Sequence, residues 1–222
     1  GSEVPNFGHF PLMRSKTGSG LSKRFNSFSL DDLRKRKIFP LIILNYLNKI
    51  GSNLSNDEID DIDLLKKNFD LSSFSKNSVL FNDSDLERLN SKYLKTLTYH
   101  NLKKFFDVKY DEKFWDIIKN NVDDLKEIDE WYQILNFNHN QKTAIEPELH
   151  TLIKEYLPPK IDKDTWSIWT TKILEVTKTK PKDLYMKLRF ILTGRNYGPS
   201  MNEMLTLYSR EEILKRIESN CD

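Results

Sequence analysis

The chain has 222 residues, 38% hydrophobic and 12% aromatic, enough for one large core or two smaller ones and too apolar for a compositionally disordered chain. Thirty-five lysines and arginines against 33 aspartates and glutamates leave a net charge of +2, which excludes a global basic field and confines any RNA contact to local patches. The single cysteine, Cys221, excludes an intrachain disulfide framework and a cysteine-rich metal site, and suits a reducing cytoplasm.

Gly1 and Ser2 read as the remainder of a removed purification tag, and GSEVPNFGHF has neither the charged start nor the apolar run of a signal peptide. Glycines stand at Gly1, Gly8, Gly18, Gly20 and Gly51, then only at Gly194 and Gly198. The long tract between lacks the punctuation of hairpins and βα turns, so the expected class is all-α. Ser29 with Asp32 reads as a capping box opening a short helix whose last turn, 34–37, is basic and suits the negative end of the helix dipole. Pro40 fits a first helical position and Gly51 the position just past the end, bracketing an apolar helix over 41–50. The apolar stretch 38–47 is broken by Pro40 and Asn45 and is about half of the ~20 residues a bilayer-spanning helix needs, so no membrane span is expected. Ser55 with Glu58 is a further capping pair, after which Ile59, Ile62 and Leu65 or Lys66 make one apolar stripe.

Further helices are expected over 85–96, 98–106, 112–121, 123–135, 145–157, 162–177, 182–192, 200–207 and 209–218. Pro158 and Pro159 close one of them, and Ser209 with Glu212 opens the last as a capping box. The polar run 136–143 is the expected hinge or subdomain seam. The chain shows no internal repeat of fixed period, which argues against a helical-repeat scaffold.

Phe81, Leu86, Leu89 and Tyr93 form a helical stripe that reads as core, with Asn90 as a polar member bridging neighbouring elements. Trp115, Trp131, Trp166 and Trp169 invite comparison with a base-stacking platform, but indoles buried at helix junctions are commoner, and core packing is expected for each. His9, His100, His139 and His150 have no ligand spacing, so no metal is expected; the carboxylates show no pairing that suggests acid and base roles. Near the far end, Gly194 reads as the left-handed close of a helix, 195–197 as a polar turn, and Gly198 with Pro199 as the entry to the next helix.

Three tracts carry a family resemblance. Leu21, Ser22, Lys23 and Arg24 spell LSKR in a glycine-containing loop, similar to the KMSKS-type signature of class I aminoacyl-tRNA synthetases; taken alone, the same four residues read as solvated surface. The run LDDLRKRKIFPLIILNYLNKIGSN and the pattern F-x-x-x-x-L-x-x-L-N-x-x-Y-L at 81–94 resemble the stem-contact region that follows that loop in glutamyl-tRNA synthetases. LRFILTGRNYGPSMNEMLTLYSREEILKRI resembles the closing block of the same family. The chain therefore resembles the tRNA-binding carboxyl-terminal part of a bacterial glutamyl-tRNA synthetase, from the loop through the anticodon-binding domain. The bacterial glutaminyl enzymes, the nearest alternative, read the anticodon with β-barrels, against which the glycine-poor helical half speaks.

The resemblance implies a stem-contact helical region over 3–108 and an α-helical anticodon-binding cage over 109–222. It implies that Leu21, Ser22, Lys23 and Arg24 lie against ATP, with Lys23 neutralising charge on the departing pyrophosphate. Gly20 stands where the family has its first lysine, so one phosphate-facing cation is absent. At the other end it brings Met186, Arg189, Gly198, Pro199 and Met201 to base-contacting places. Arg189 is suited to reading or stacking on a splayed base, its alternative being an ion pair with Glu203 or another acid. Met186 replaces an aromatic, which weakens stacking. The whole enzyme would be a cytoplasmic, monomeric glutamate-tRNA ligase using ATP, Mg2+ and L-glutamate, with glutamate tRNA as partner and glutamine tRNA left open. With the HIGH-type catalytic domain outside this sequence, the chain by itself is expected to bind no cofactor and charge no tRNA. The competing reading is a helical protein-interaction module without enzymatic ancestry.

Overall fold

A computed structural model describes residues 4–5, 7–15, 29–54, 59–136, 143 and 145–219. The LSKR loop from Leu21 to Arg24, Gly20, the Ser55 and Glu58 pair, Cys221 and most of the 136–143 run lie outside the described residues. Among those described, the chain forms twelve α-helices, three single 3-10 turns and one pair of two-residue strands, so the class is all-α. The strands, β1 (Met13–Arg14) and β2 (Val79–Leu80), pair in parallel, with Met13 opposite Val79. The chain divides into two compact units, Gly1–Thr96 and Leu97–Asp222.

In the first unit the helices are α1 (Leu30–Lys35), α2 (Pro40–Lys49), α3 (Ile62–Asn68) and α4 (Asp83–Thr96). Ser29 caps α1 by accepting the Asp32 N–H at 3.1 Å, and Pro40 opens α2. Asp61 caps α3, accepting the N–H groups of Asp63 and Leu64. Leu33, Phe39, Ile42, Tyr46, Phe81, Leu86, Leu89 and Leu94 are buried, so the expected stripe on α4 meets α2. Polar residues inside this core each have a task. Asn90 accepts the Phe39 N–H at 2.9 Å, satisfying a donor at the start of α2. Fully buried Asn45 donates to the Asp60 carbonyl and accepts the Asp60 N–H, both at 2.8 Å. Lys49, 3% exposed, pairs with Asp60 at 3.3 Å.

The second unit holds α5 (Tyr99–Phe105), α6 (Glu112–Ile118), α7 (Leu125–Asn136), α8 (Pro147–Glu155), α9 (Thr165–Val176), α10 (Pro181–Thr193), α11 (Met201–Met204) and α12 (Arg210–Ser219). Within this unit the stretch after Thr96 is tied to α6 and to the residues just before it: the Trp115 indole donates to the Leu97 carbonyl at 3.1 Å, and the Tyr99 hydroxyl to the Tyr110 carbonyl at 2.6 Å. All four tryptophans are buried, and Trp169 donates to the Ile153 carbonyl at 2.9 Å. α10 packs against α9 and α12. α12 opens on the expected capping box, Ser209 N–H to the Glu212 carboxylate at 2.7 Å and Glu212 N–H to the Ser209 hydroxyl at 3.2 Å. Buried Arg216 ties α12 to its neighbours by donating to the carbonyls of Ile134 and Leu135 near the end of α7 and of Leu192 near the end of α10. Those carbonyls carry the negative ends of two helix dipoles, so the buried cation meets the charge it needs. Tyr208 lies under the Arg216 guanidinium, 4.8 Å from its ring centroid, and burial pushes its hydroxyl up to about 12.

Candidate nucleic-acid interface

α10 is positioned by its ends. Pro181 occupies its first turn, where a missing N–H costs nothing. Gly194 closes it at φ +66°, in the left-handed region, donating its N–H to the Phe190 carbonyl at 2.7 Å. Between these ends Tyr185, Met186 and Arg189 share one face through i,i+3 and i,i+4 spacing. The chain then turns through 195–199 into α11, and a recess of about 260 Å3 lies between that face, α9 and the turn. Trp166 of α9, Tyr185, Met186 and Arg189 of α10, Asn196 of the turn, and Ser200, Met201 and Asn202 line it.

Arg189 is half-buried and donates from Nη1 to the Pro199 carbonyl at 2.9 Å. Glu203 is not its partner; the guanidinium is held by a neutral carbonyl. Burial lowers its pKa, but from so high a value that it stays charged. A partly desolvated cation with donors to spare beside apolar walls suits a planar polar ligand. Tyr185 and Trp166 meet at 5.8 Å and 52°, forming an aromatic flank.

The turn is rigid for identifiable reasons. Gly198 has φ +128°, and a Cβ there would collide with the six-membered ring of Trp131, which is 1% exposed and cannot yield. The Arg195 guanidinium stacks 4.9 Å from the Trp131 ring centroid and pairs with Glu130 at 2.7 Å. The Arg195 N–H donates to the Thr193 hydroxyl at 3.1 Å.

Met186 is 42% exposed and also borders a second, polar recess of about 560 Å3 with Glu146, Lys178, Thr179, Lys180, Asp183 and Lys187. Lys187 pairs with Glu146 at 3.1 Å. The Glu146 carboxyl is held below the usual range by its own backbone N–H and then by Lys187. The two recesses thus join an aromatic, arginine-bearing hollow to a lysine-lined one.

Of the residues expected from sequence, Met186, Arg189 and Met201 line one recess, with Met201 buried in its floor at 3% exposure. Gly198 and Pro199 shape the turn behind it. Sequence reasoning passed over Tyr185, Asn196, Ser200 and Asn202, and it weighed Trp166 as a stacking surface but expected it in the core, where it is buried while also lining the recess. Tyr185 was accessible through its i,i+4 relation to Arg189; Asn196 and Asn202 carry no local signal. Among the described residues no cluster of His, Cys, Asp and Glu could hold a metal ion, and no helix is long and apolar enough to cross a membrane.

Residues 86–221 match the family model of the anticodon binding domain. The chain belongs to the anticodon-binding-domain family. The match covers the recess, the turn and every helix of the second unit, and starts within α4. Across nearly the whole chain it is similar to glutamate–tRNA ligase 1 of Rickettsia felis, at 36% identity over 97% of this chain and 49% of that protein. Glutamate–tRNA ligase 1 of Rickettsia akari is 37% identical over 96% of this chain and 49% of its own length. The chain therefore spans about half the length of the curated relatives it matches. A crystal structure of a glutamate tRNA ligase from Elizabethkingia meningosepticum superimposes with a TM-score of 0.81 at 19% identity, over 98% of this chain and 51% of that one. At that identity the likeness is one of fold.

Proposed function

We propose that this chain is the tRNA-recognising part of a glutamate–tRNA ligase, the second unit receiving the anticodon loop and the first the stem. The observation that carries the reading is the recess around Arg189, a half-buried guanidinium held to the Pro199 carbonyl beside exposed Tyr185 and Met186, inside the tract matching the anticodon binding domain. A base splayed into this hollow lies against aromatic and thioether surface with its polar edge at Arg189. Lys178, Lys180 and Lys187, in the adjoining recess, neutralise backbone phosphates. Met186, Arg189 and Met201 contact or border the base, while Gly198 and Pro199 hold the backbone that frames it.

The whole enzyme is then a cytoplasmic monomer that joins L-glutamate to tRNA at the expense of ATP with Mg2+. Leu21, Ser22, Lys23 and Arg24 belong to its ATP-facing loop; the LSKR match supports this, with Gly20 in place of one lysine. The relatives named glutamate–tRNA ligase support the substrate, and the match of residues 86–221 to the anticodon binding domain favours this reading over a helical protein-interaction module.

The test is titration of the chain with anticodon stem-loop hairpins of glutamate, glutamine and an unrelated tRNA at low and moderate salt. Binding of the glutamate hairpin is expected to be preferred and to weaken with salt. Arg189→Ala is expected to cost about 1–3 kcal/mol against the preferred hairpin and little against the unrelated one, because a base contact carries discrimination and phosphate contacts do not. Equal losses for every hairpin would refute the assignment of Arg189. Absence of binding at low salt would refute the tRNA reading.

A further inference from the structure

Tyr197 is 66% exposed, the most exposed of the large apolar side chains among the described residues of the second unit. Exposure of one aromatic is ordinary and carries nothing alone. What distinguishes this ring is how its surroundings hold it. The Arg195 guanidinium lies 5.5 Å from the Tyr197 centroid and 4.9 Å from the Trp131 centroid, so one cation contacts both an exposed ring and a buried one. Glu130 fixes that cation at 2.7 Å, with Arg195 only 19% exposed at its side chain. On the other side of Tyr197, Gly198 is wedged against the same Trp131. The backbone is thus clamped before and after Tyr197, and the guanidinium lies against the ring itself.

We propose that Tyr197 is a stacking platform for a second splayed nucleotide, next to the one whose base enters the Arg189 recess. This rests on the tRNA-binding reading above and extends it by one contact. Asn196 lines the recess and Tyr197 is the next residue, so a base in the recess and a base on the ring belong to neighbouring nucleotides. A pre-ordered aromatic gives up little conformational entropy on stacking, and stacking accepts any base because every base has a π face. The platform therefore contributes affinity, and Arg189 contributes discrimination.

The experiment uses glutamate anticodon stem-loop hairpins carrying 2-aminopurine at one loop position at a time, titrated with wild type, Tyr197→Phe, Tyr197→Leu and Arg189→Ala. The ring is solvent-exposed, and superimposable thermal melts would establish that its variants are folded. Tyr197→Phe is expected to bind as wild type. Tyr197→Leu keeps apolar bulk without a π face and is expected to bind about tenfold more weakly or worse, with unchanged preference among hairpins and an unchanged salt slope. The fluorescence of one loop position should respond to binding by wild type and not by Tyr197→Leu. Wild-type affinity in Tyr197→Leu, alongside lost discrimination in Arg189→Ala, would overturn the platform and leave the tRNA reading intact. A reduced salt slope in Tyr197→Leu would also overturn it, since that is the mark of a lost phosphate contact. No binding by wild type would remove the reading beneath it.

Discussion

Replacing Gly198 by alanine tests whether the turn that frames the recess is held as described. Two costs add. At φ +128° an L-residue is strained outside its allowed regions, a cost of about 1–3 kcal/mol. The new methyl also meets the Trp131 ring inside contact distance, and forced overpacking of a close-packed site costs about another 1–3 kcal/mol. The sum, about 2–6 kcal/mol, corresponds to a fall in melting temperature of roughly 8–24 °C for a unit of this size. Gly194→Ala supplies the comparison: its φ of +66° is the milder left-handed conformation, so about 1–2 kcal/mol is expected. Melting followed by circular dichroism or calorimetry should therefore rank Gly198→Ala below Gly194→Ala. Adding Trp131→Leu opens space opposite the methyl, so the double variant should be less destabilised than the two single changes summed. Were Gly198→Ala to melt within 2 °C of wild type, or the double variant to show strict additivity, the packing of the turn on Trp131 would be refuted.

Two further outcomes follow from polar groups elsewhere. Glu146 faces three lysines across the second recess, so Glu146→Gln should strengthen RNA binding a few-fold at low salt and steepen its salt dependence, measured by titration at several ionic strengths. Its carboxyl is held below the usual carboxylate range, so its negative charge and its pairing with Lys187 are complete above the ordinary pKa and are lost only as pH falls through the lowered value; it should contribute no change in RNA affinity between about pH 5 and 8. In the first unit, Asn90→Leu leaves the buried Phe39 N–H without its acceptor and should cost about 1–3 kcal/mol in chemical denaturation, whereas an exposed change such as Lys76→Ala should be near neutral.

Local chemistry explains what the sequence made readable. The helices that begin at Pro40 and Pro181 or on the Ser29 and Ser209 caps were expected within a residue, because a serine hydroxyl accepts an orphan N–H at its cap and a proline at the first helical position has no N–H to leave unpaired. Pro147 carries the same mark at the head of α8, which begins there and not at 145. The parallel pairing of Met13 with Val79 had no local signature, since two-residue strands are created by their partner. Asn45 looked like an interruption of an apolar run and is instead what fixes residue 60 to α2. At the candidate site, Arg189 and Met186 were reachable from family resemblance and helical spacing. The column from Trp131 through Arg195 to Tyr197 was not, because the indole and the turn are far apart in the chain and only the tertiary packing of α7 brings them together.

The wedge of Trp131 against Gly198 divides the work of the recess between two sets of residues. Gly194, Gly198, Trp131 and Glu130 set the course of the backbone, and none of them lines the hollow. Tyr185, Met186 and Asn196 line it without a hydrogen bond to that frame, while Asn202 lines it and also ties α11 to the Lys163 carbonyl and the Ser167 hydroxyl. A chain built this way can alter what it prefers by exchanging wall residues one at a time while its frame stays constant. Drift in preference then carries little folding penalty, whereas drift at Gly198 requires a matching change at position 131.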